Sequence, residues 1–223
     1  MITNDLFVFL EELSQHNNRE WFTNNKKRYE AHVKKPLLLV AQELISEFSS
    51  VSSIFHQKPE NCLFRVNRDV RFSKDKNPYK THASVLIAPG GKKSIFPGFY
   101  AHIALDTCSL ACGSYQLDKN NLFLVRNEIL YQTDDWRNIT QAPAFKNLWG
   151  ELQGEKNKKL PPEFVSYADK IPELYHKSFY FTRELTRSEV LSTGFVGQVI
   201  DDFRTAWPLT KFLIQCLSEG YEK

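Results

Sequence analysis

Apolar residues recur at three- and four-residue spacing over positions 1–50, alternate with polar ones over 62–116, and return to mainly helical spacing over 117–223. Asn4 and Asp5 are placed to cap a first helix, whose Leu6, Phe9, Leu10 and Leu13 share one face. His16, Asn17 and Asn18 end it, and Arg19 opens a second helix through Trp21, Phe22 and Tyr29. Pro36 marks either a break or the first turn of a third, LLLVAQELISEF.

From Cys62 onward, β-branched and aromatic residues collect between turn signals at Asn77-Pro78, Pro89-Gly90-Gly91 and Pro97-Gly98. SVLIAP, FYAHIALD and SLACGSY read as successive strands, and their short connections favour antiparallel neighbours. Asp118 then caps a periodic helix carrying Leu122, Val125, Ile129 and Leu130, and more helix surrounds Trp136 and Trp149. GEKNKKLPPE, charged and interrupted by proline, reads as a mobile loop. Beyond it, positions 171–176 and the terminal FVGQVIDDFRTAWPLTKFLIQCL read as helical, with Pro208 breaking or restarting the last element. The pattern predicts an α+β fold in one domain over 1–223: a mainly antiparallel central sheet with N-terminal and C-terminal helices packed on it.

Composition narrows the function classes only a little. An apolar share of 42% and a charged share of 25% over 223 residues are ordinary for a soluble globular protein. A net charge of +3 is too mild to identify a general nucleic-acid binder. The start MITNDLFVFLEELSQHN lacks a basic region followed by an apolar run, and no later run is long enough to cross a bilayer, so a cytoplasmic location and no membrane partner are expected. Cys62, Cys108, Cys112 and Cys216 are too scattered for a disulfide framework, and Cys108 and Cys112 lack a second Cys/His pair at zinc spacing. They read as small buried thiols, with no metal or cofactor implied.

One segment does change the picture. FRVNRDVRFSKDKNPYKTH holds Arg65, Arg68, Arg71, Lys74, Lys76 and Lys80 against only Asp69 and Asp75. As a strand, it would put Phe64, Val66, Arg68, Val70 and Phe72 on one face and Arg65, Asn67, Asp69, Arg71 and Ser73 on the other. Arg68 among apolar neighbours needs a carboxylate, an anion or carbonyls, unless a turn or bulge near Asn67 rotates it outward. Asp69 can neutralise Arg65 or Arg71, leaving the other guanidinium fork for an oxyanion.

Two accounts fit this cluster. In the first, Arg65, Arg68, Arg71, Ser73, Lys74, Lys76 and Lys80 bind a small phosphate-bearing ligand, with Tyr79 and Tyr100 lining the site. In the second, the arginines are structural ties to acids on neighbouring helices, and the lysines keep an edge turn soluble.

The same block, with NNREWF before it and PGFY after it, resembles an uncharacterised bacterial and fungal family, domain of unknown function 2461. The resemblance runs from Leu6 to about Leu213. Its pattern falls on Asn18, Arg19, Trp21 and Phe22; on the basic block from Arg65 to Lys80; and on Pro97, Gly98 and Tyr100. The chain departs from it at Gly113, Tyr115 and Leu117, and at Pro162, Glu163 and Phe164, while Lys177 and Ser178 resemble a family Lys-Ser step. The resemblance implies no activity.

Tyr100 and His102 alternate onto one strand face, which makes them the acid/base pair if the site is catalytic. A metal-independent hydrolase or transferase would then use Asp69 or His102 as its base. A third reading is a nucleic-acid accessory protein whose basic strand touches backbone phosphates. His82 adjoins the basic turn, and Arg126 and Lys177 are further cations that could point to the sheet, although both residue types are commonly at the surface. No Walker loop, serine elbow, Rossmann fingerprint or zinc-protease motif occurs, and oligomeric state has no signature.

Overall fold

Helix α1 (Asn4–Gln15) buries Leu6, Phe7, Phe9, Leu10 and Leu13, the stripe its periodicity predicts. Its N-cap is Thr3, which makes no side-chain capping bond, and Asn4 instead accepts a 2.7 Å hydrogen bond from Arg187 Nη2. The computed structural model describes residues 1–218. Helices α2 (Arg19–Asn24) and α3 (Lys26–Tyr29) follow, and Asn18 caps α2 by accepting from the Trp21 N–H at 2.9 Å.

Pro36 does not break the chain's course. It lies in the first turn of α4 (Lys35–Val51), directly after a π-helical turn at Glu30–Lys34. The wide turn is where the regular ladder yields to the missing proline donor.

The sheet contains β1 (His82–Ile87), β2 (Gly98–Ala104), β3 (Cys108–Ser114) and β4 (Phe179–Leu185) in the order β1-β2-β3-β4. Its pairing is antiparallel, and with 53% helix and 15% strand the fold is α+β. Between β3 and β4 lie α5 (Lys119–Tyr131), α6 (Thr133–Thr140), α7 (Pro143–Trp149) and the single turn α8 (Pro162–Val165). After β4 come α9 (Arg187–Leu191) and α10 (Phe195–Ser218). Asp118 caps α5 as expected, accepting from the Asn121 N–H at 2.8 Å.

Three sequence expectations change here. The segment 64–73 is no strand of the sheet but an irregular excursion beside β1. FYFTREL, in a part of the chain that reads as mainly helical, forms β4, and only Pro172–Tyr175 before it is a short 3-10 turn. Pro208 lies inside α10 rather than ending it.

The described residues fall into two compact units, the first comprising 1–93, 100–110 and 184–200, the second 94–99, 111–183 and 201–218. In the first, Phe9 packs on Trp21, Phe22 and Tyr29 at 5.5, 6.4 and 5.8 Å between ring centroids, and Phe22 stacks on Tyr79 at 4.1 Å. Phe9, Phe22 and Tyr79 are buried in this cluster, and Trp21 and Tyr29 flank it half-buried. In the second, Phe203 packs against Phe99 at 4.7 Å and Trp149 at 5.9 Å, while Trp136 contacts Phe179 and Phe212. The Trp149 indole donates to Thr205 Oγ1 at 2.8 Å, so the stacked tryptophan keeps its N–H satisfied. Cys62, Cys108, Cys112 and Cys216 are free and buried.

Gly113 in β3 has φ +112°, and a Cβ there would stand 2.2 Å from the Phe179 carbonyl oxygen. No rotamer relieves a clash with backbone. Gly113→Ala is expected to lower the unfolding free energy by about 3 kcal/mol or more in urea titration, and a loss below about 1 kcal/mol would contradict the close approach.

Candidate functional site

The basic segment is built as a hairpin rooted on β1. Phe64 N–H donates to Ser84 O at 3.0 Å and Leu86 N–H to Cys62 O at 3.0 Å, so the chain first runs antiparallel to β1. It then turns back on itself: Lys80 N–H donates to Val66 O at 2.8 Å and Arg68 N–H to Pro78 O at 2.9 Å. Residues 69–77 form the tip. Besides those bonds to β1, the stem is fixed to the helical part of its unit by the residue before Lys80.

That residue is Tyr79. Its ring is 7% exposed against Phe22, and its peptide is held from both sides by the Asn17 amide, which donates from Nδ2 to Tyr79 O and accepts at Oδ1 from Tyr79 N–H, each at 3.0 Å. One side chain thus satisfies both polar groups of a half-buried backbone unit, as a neighbouring strand would. Sequence reading treats Asn17 only as a helix stop and Tyr79 as a ligand-lining residue. The structure makes both anchors.

At the tip the charges are largely matched. Arg68, whose position demanded a partner, pairs with Asp75. Arg71 clasps Asp69 with Nε at 3.0 Å and Nη2 at 2.7 Å, and this fork, helped by the Arg71 N–H, holds the Asp69 carboxyl below the usual range. A carboxylate so engaged is a weak proton acceptor. Lys76 Nζ donates to Val70 O at 3.1 Å, and Ser73 sits half-exposed in a turn closed by its own N–H to Val70 O at 3.3 Å. Arg65, Lys74 and Lys80 have no carboxylate at ion-pair distance among the described residues.

At the hairpin's root a second group of residues gathers. Along β2, Phe99, Ala101 and Ile103 are buried while Tyr100 and His102 are half-buried, the alternation a pleated strand imposes. Tyr100 Oη and His102 Nδ1 are 3.1 Å apart, and His82 at the start of β1 lies with its ring 4.6 Å from that of His102. The Phe64 ring meets Tyr100 edge-on at 6.1 Å, and Lys80 Nζ lies 5.4 Å from the Phe64 centroid. Lys80, Phe64, Tyr100, His102 and His82 therefore make one continuous half-buried patch, and Arg65 lies within electrostatic reach of Lys80.

The electrostatics of this patch are one-sided. Burial first, then the neighbouring His102, Lys80 and Arg68, push His82 down to about 4. Burial and then Arg65 lower Lys80, and burial lowers His102 against an opposing pull from Asp106. Both histidines are thus neutral at pH 7, each with ring nitrogens able to accept and donate. The patch holds fixed and latent positive charge, polar donors and an apolar wall.

Elsewhere, Arg126 is buried in the second unit, 3% exposed, with Nη2 donating to His176 O at 3.1 Å and its guanidinium 6.0 Å from the Phe164 centroid. Its residue type is commonly at the surface, but here the helix places it on the buried side. Lys177 pairs with Glu155 at 2.8 Å. Among the described residues no group of three or more His, Cys, Asp or Glu could hold a metal, and no helix is long and apolar enough to cross a membrane.

Two outcomes follow from this geometry. Asn17→Ala strands both polar groups of Tyr79 and is expected to lower stability by about 2 kcal/mol or more by urea unfolding, with Asn17→Asp intermediate because it keeps the acceptor. Because folded His82 titrates near 4 and the unfolded residue near 6.5, the unfolded chain binds the extra proton between those values. Stability therefore falls as pH drops from about 6.5 toward 4, and His82→Gln is expected to flatten that fall; an unchanged slope in the variant would contradict the burial of a neutral imidazole.

No curated protein and no solved structure matches the chain. A family model described as conserved hypothetical protein (DUF2461) matches residues 5–212, a span that takes in the Asn17 anchor, the hairpin, the β1–β2 patch and the helices after the sheet. The chain therefore belongs to the DUF2461 family of conserved hypothetical proteins.

Proposed function

We propose that this protein binds a small phosphate-bearing anion at the root of the hairpin, with Arg65 and Lys80 as charged donors, His82 and His102 as switchable donors, and Tyr100 and Phe64 as the wall. The observation that carries this reading is that Lys80 and His82 are half-buried beside Arg65 and Arg68 with no carboxylate paired to Lys80 or Arg65 among the described residues. Partial burial beside positive groups raises the energy of the charged forms of Lys80 and His82, and an oxyanion there removes that cost. Arg68 and Arg71, matched to Asp75 and Asp69, are secondary, and the wider set of Ser73, Lys74 and Lys76 belongs to the tip.

A second reading, a metal-independent hydrolase or transferase, draws on the 3.1 Å Tyr100–His102 contact. That contact orients one imidazole nitrogen and leaves the other to accept a proton beside a bound phosphoryl group. Of the two base candidates, His102 fits this role better than Asp69, which is clasped by Arg71.

A thermal-shift titration with inorganic phosphate, pyrophosphate, a nucleoside monophosphate and a sugar phosphate tests the binding. At least one is expected to raise Tm by about 5 °C at saturation, more at about pH 6 than at about pH 8, because an anion raises the histidine pKa values and binds their protonated forms more tightly. Arg65→Ser with Lys80→Met should abolish the shift. No shift with any probe, or an equal shift in the double variant, would end the proposal.

A further inference from the structure

We infer that the tip of the hairpin is a docking element for single-stranded nucleic acid, with Phe72 as a stacking platform for one base and the tip cations on the flanking phosphates. Phe72 is 96% exposed, so its ring is held in water by a segment that otherwise carries charge. An apolar ring at that exposure contributes nothing to the fold and costs solubility, which a partner surface would recover. Residues 64–80 bear six cations against two acids, a net +4. The stem bonds from Lys80 to Val66 and from Arg68 to Pro78 hold the tip out as one unit, so its donors and ring are ordered before contact.

Three partners present themselves to a cationic tip with an aromatic at its apex, and the geometry separates them. The Arg71 guanidinium lies 5.8 Å from the Phe72 centroid while clasping Asp69. Driving that ring into a bilayer would drag both charges toward hydrocarbon, which charged groups resist. A second copy of the same tip would bring net positive charge against net positive charge. A single strand has no such conflict: a base stacks on the open face of the ring, and phosphates meet Lys74 and Lys76 at the tip and Arg65 on the stem, none of which has a carboxylate at ion-pair distance among the described residues. The inference does not rest on the small-anion site, because Phe72, Lys74 and Lys76 are no part of it and Arg65 alone is shared.

Fluorescence anisotropy with a labelled oligo-dT of about 12 nucleotides tests it, beside a duplex and phosphatidylserine vesicles. The wild type is expected to bind the single strand at about 50 mM salt, with log K falling against log salt at a slope of about −2, three phosphates at about −0.7 each. Phe72→Ala, at a position with almost no packing to lose, should weaken binding about tenfold with the slope unchanged, and Phe72→Trp should bind with quenched indole emission. Lys74→Ala with Lys76→Ala should instead flatten the slope. Absence of binding, affinity indifferent to Phe72→Ala, or binding to vesicles or duplex in preference to the single strand would overturn the inference. Because Phe72, Lys74 and Lys76 lie outside the small-anion site, a wild type that shows no thermal shift with any phosphate probe but binds the oligonucleotide in a Phe72-dependent way would refute the small-anion site alone.

Discussion

The two hydrogen bonds between the Asn17 amide and the Tyr79 backbone fix the return arm of the hairpin just ahead of Lys80 and β1. A hairpin of irregular backbone has few internal reasons to hold one orientation, since only two stem bonds close it. Docking its return arm to the end of α1, and stacking the Tyr79 ring on Phe22, converts a mobile basic loop into a fixed arm. Lys80 follows immediately, and His82 begins β1 two residues later. The position of the cations is thus inherited from an uncharged contact on the far side of Tyr79.

Fixing those cations has an electrostatic consequence. At the tip, each guanidinium finds an acid within a few residues, and such exposed pairs are screened and weak. At the root the compensation is missing: Lys80 is partly removed from water next to Arg65, and His82 is kept neutral by burial and by the positive groups around it. Structural ion-pair networks end with their charges matched, whereas a binding site leaves charge for its ligand. Arg68 and Arg71 are paired with acids, whereas Lys80 and Arg65 have no carboxylate at ion-pair distance among the described residues, and that difference bears on the two accounts that the sequence leaves standing. The exposed Phe72 gives the tip a different chemistry, one suited to flat aromatic partners.

Much of this was legible beforehand, for identifiable reasons. Amphipathic spacing gave α1 and α5, and alternation between Gly and Pro turns gave β1, β2 and β3, because both periods report burial directly. Phe179–Leu185 escaped since Arg183 takes an inward position between Phe181 and Leu185, paired with Asp202, and a cation there breaks the apolar alternation. Pro208 misled because proline usually ends a helix, yet α10 carries it in its interior. In the basic segment, the need of Arg68 for a partner was readable from its neighbours, but Asp75 as that partner depends on how the tip turns. Asn17 was invisible as an anchor because its partner is 62 residues away and is a backbone peptide, which leaves no side-chain signature. Tyr100 and His102 were legible as a pair through period two alone, and His82 joins them only through strand pairing.

The unmatched charge at the hairpin root is measured most directly by following the His82 ring through a pH titration by NMR, without and with inorganic phosphate. A site of the kind described gives a free-protein pKa near 4 and a clear upward movement when phosphate is present. Titration near 6.5, insensitive to phosphate, would mean that the imidazole is hydrated and its surroundings neutral, and the account of the root as an anion site would be contradicted.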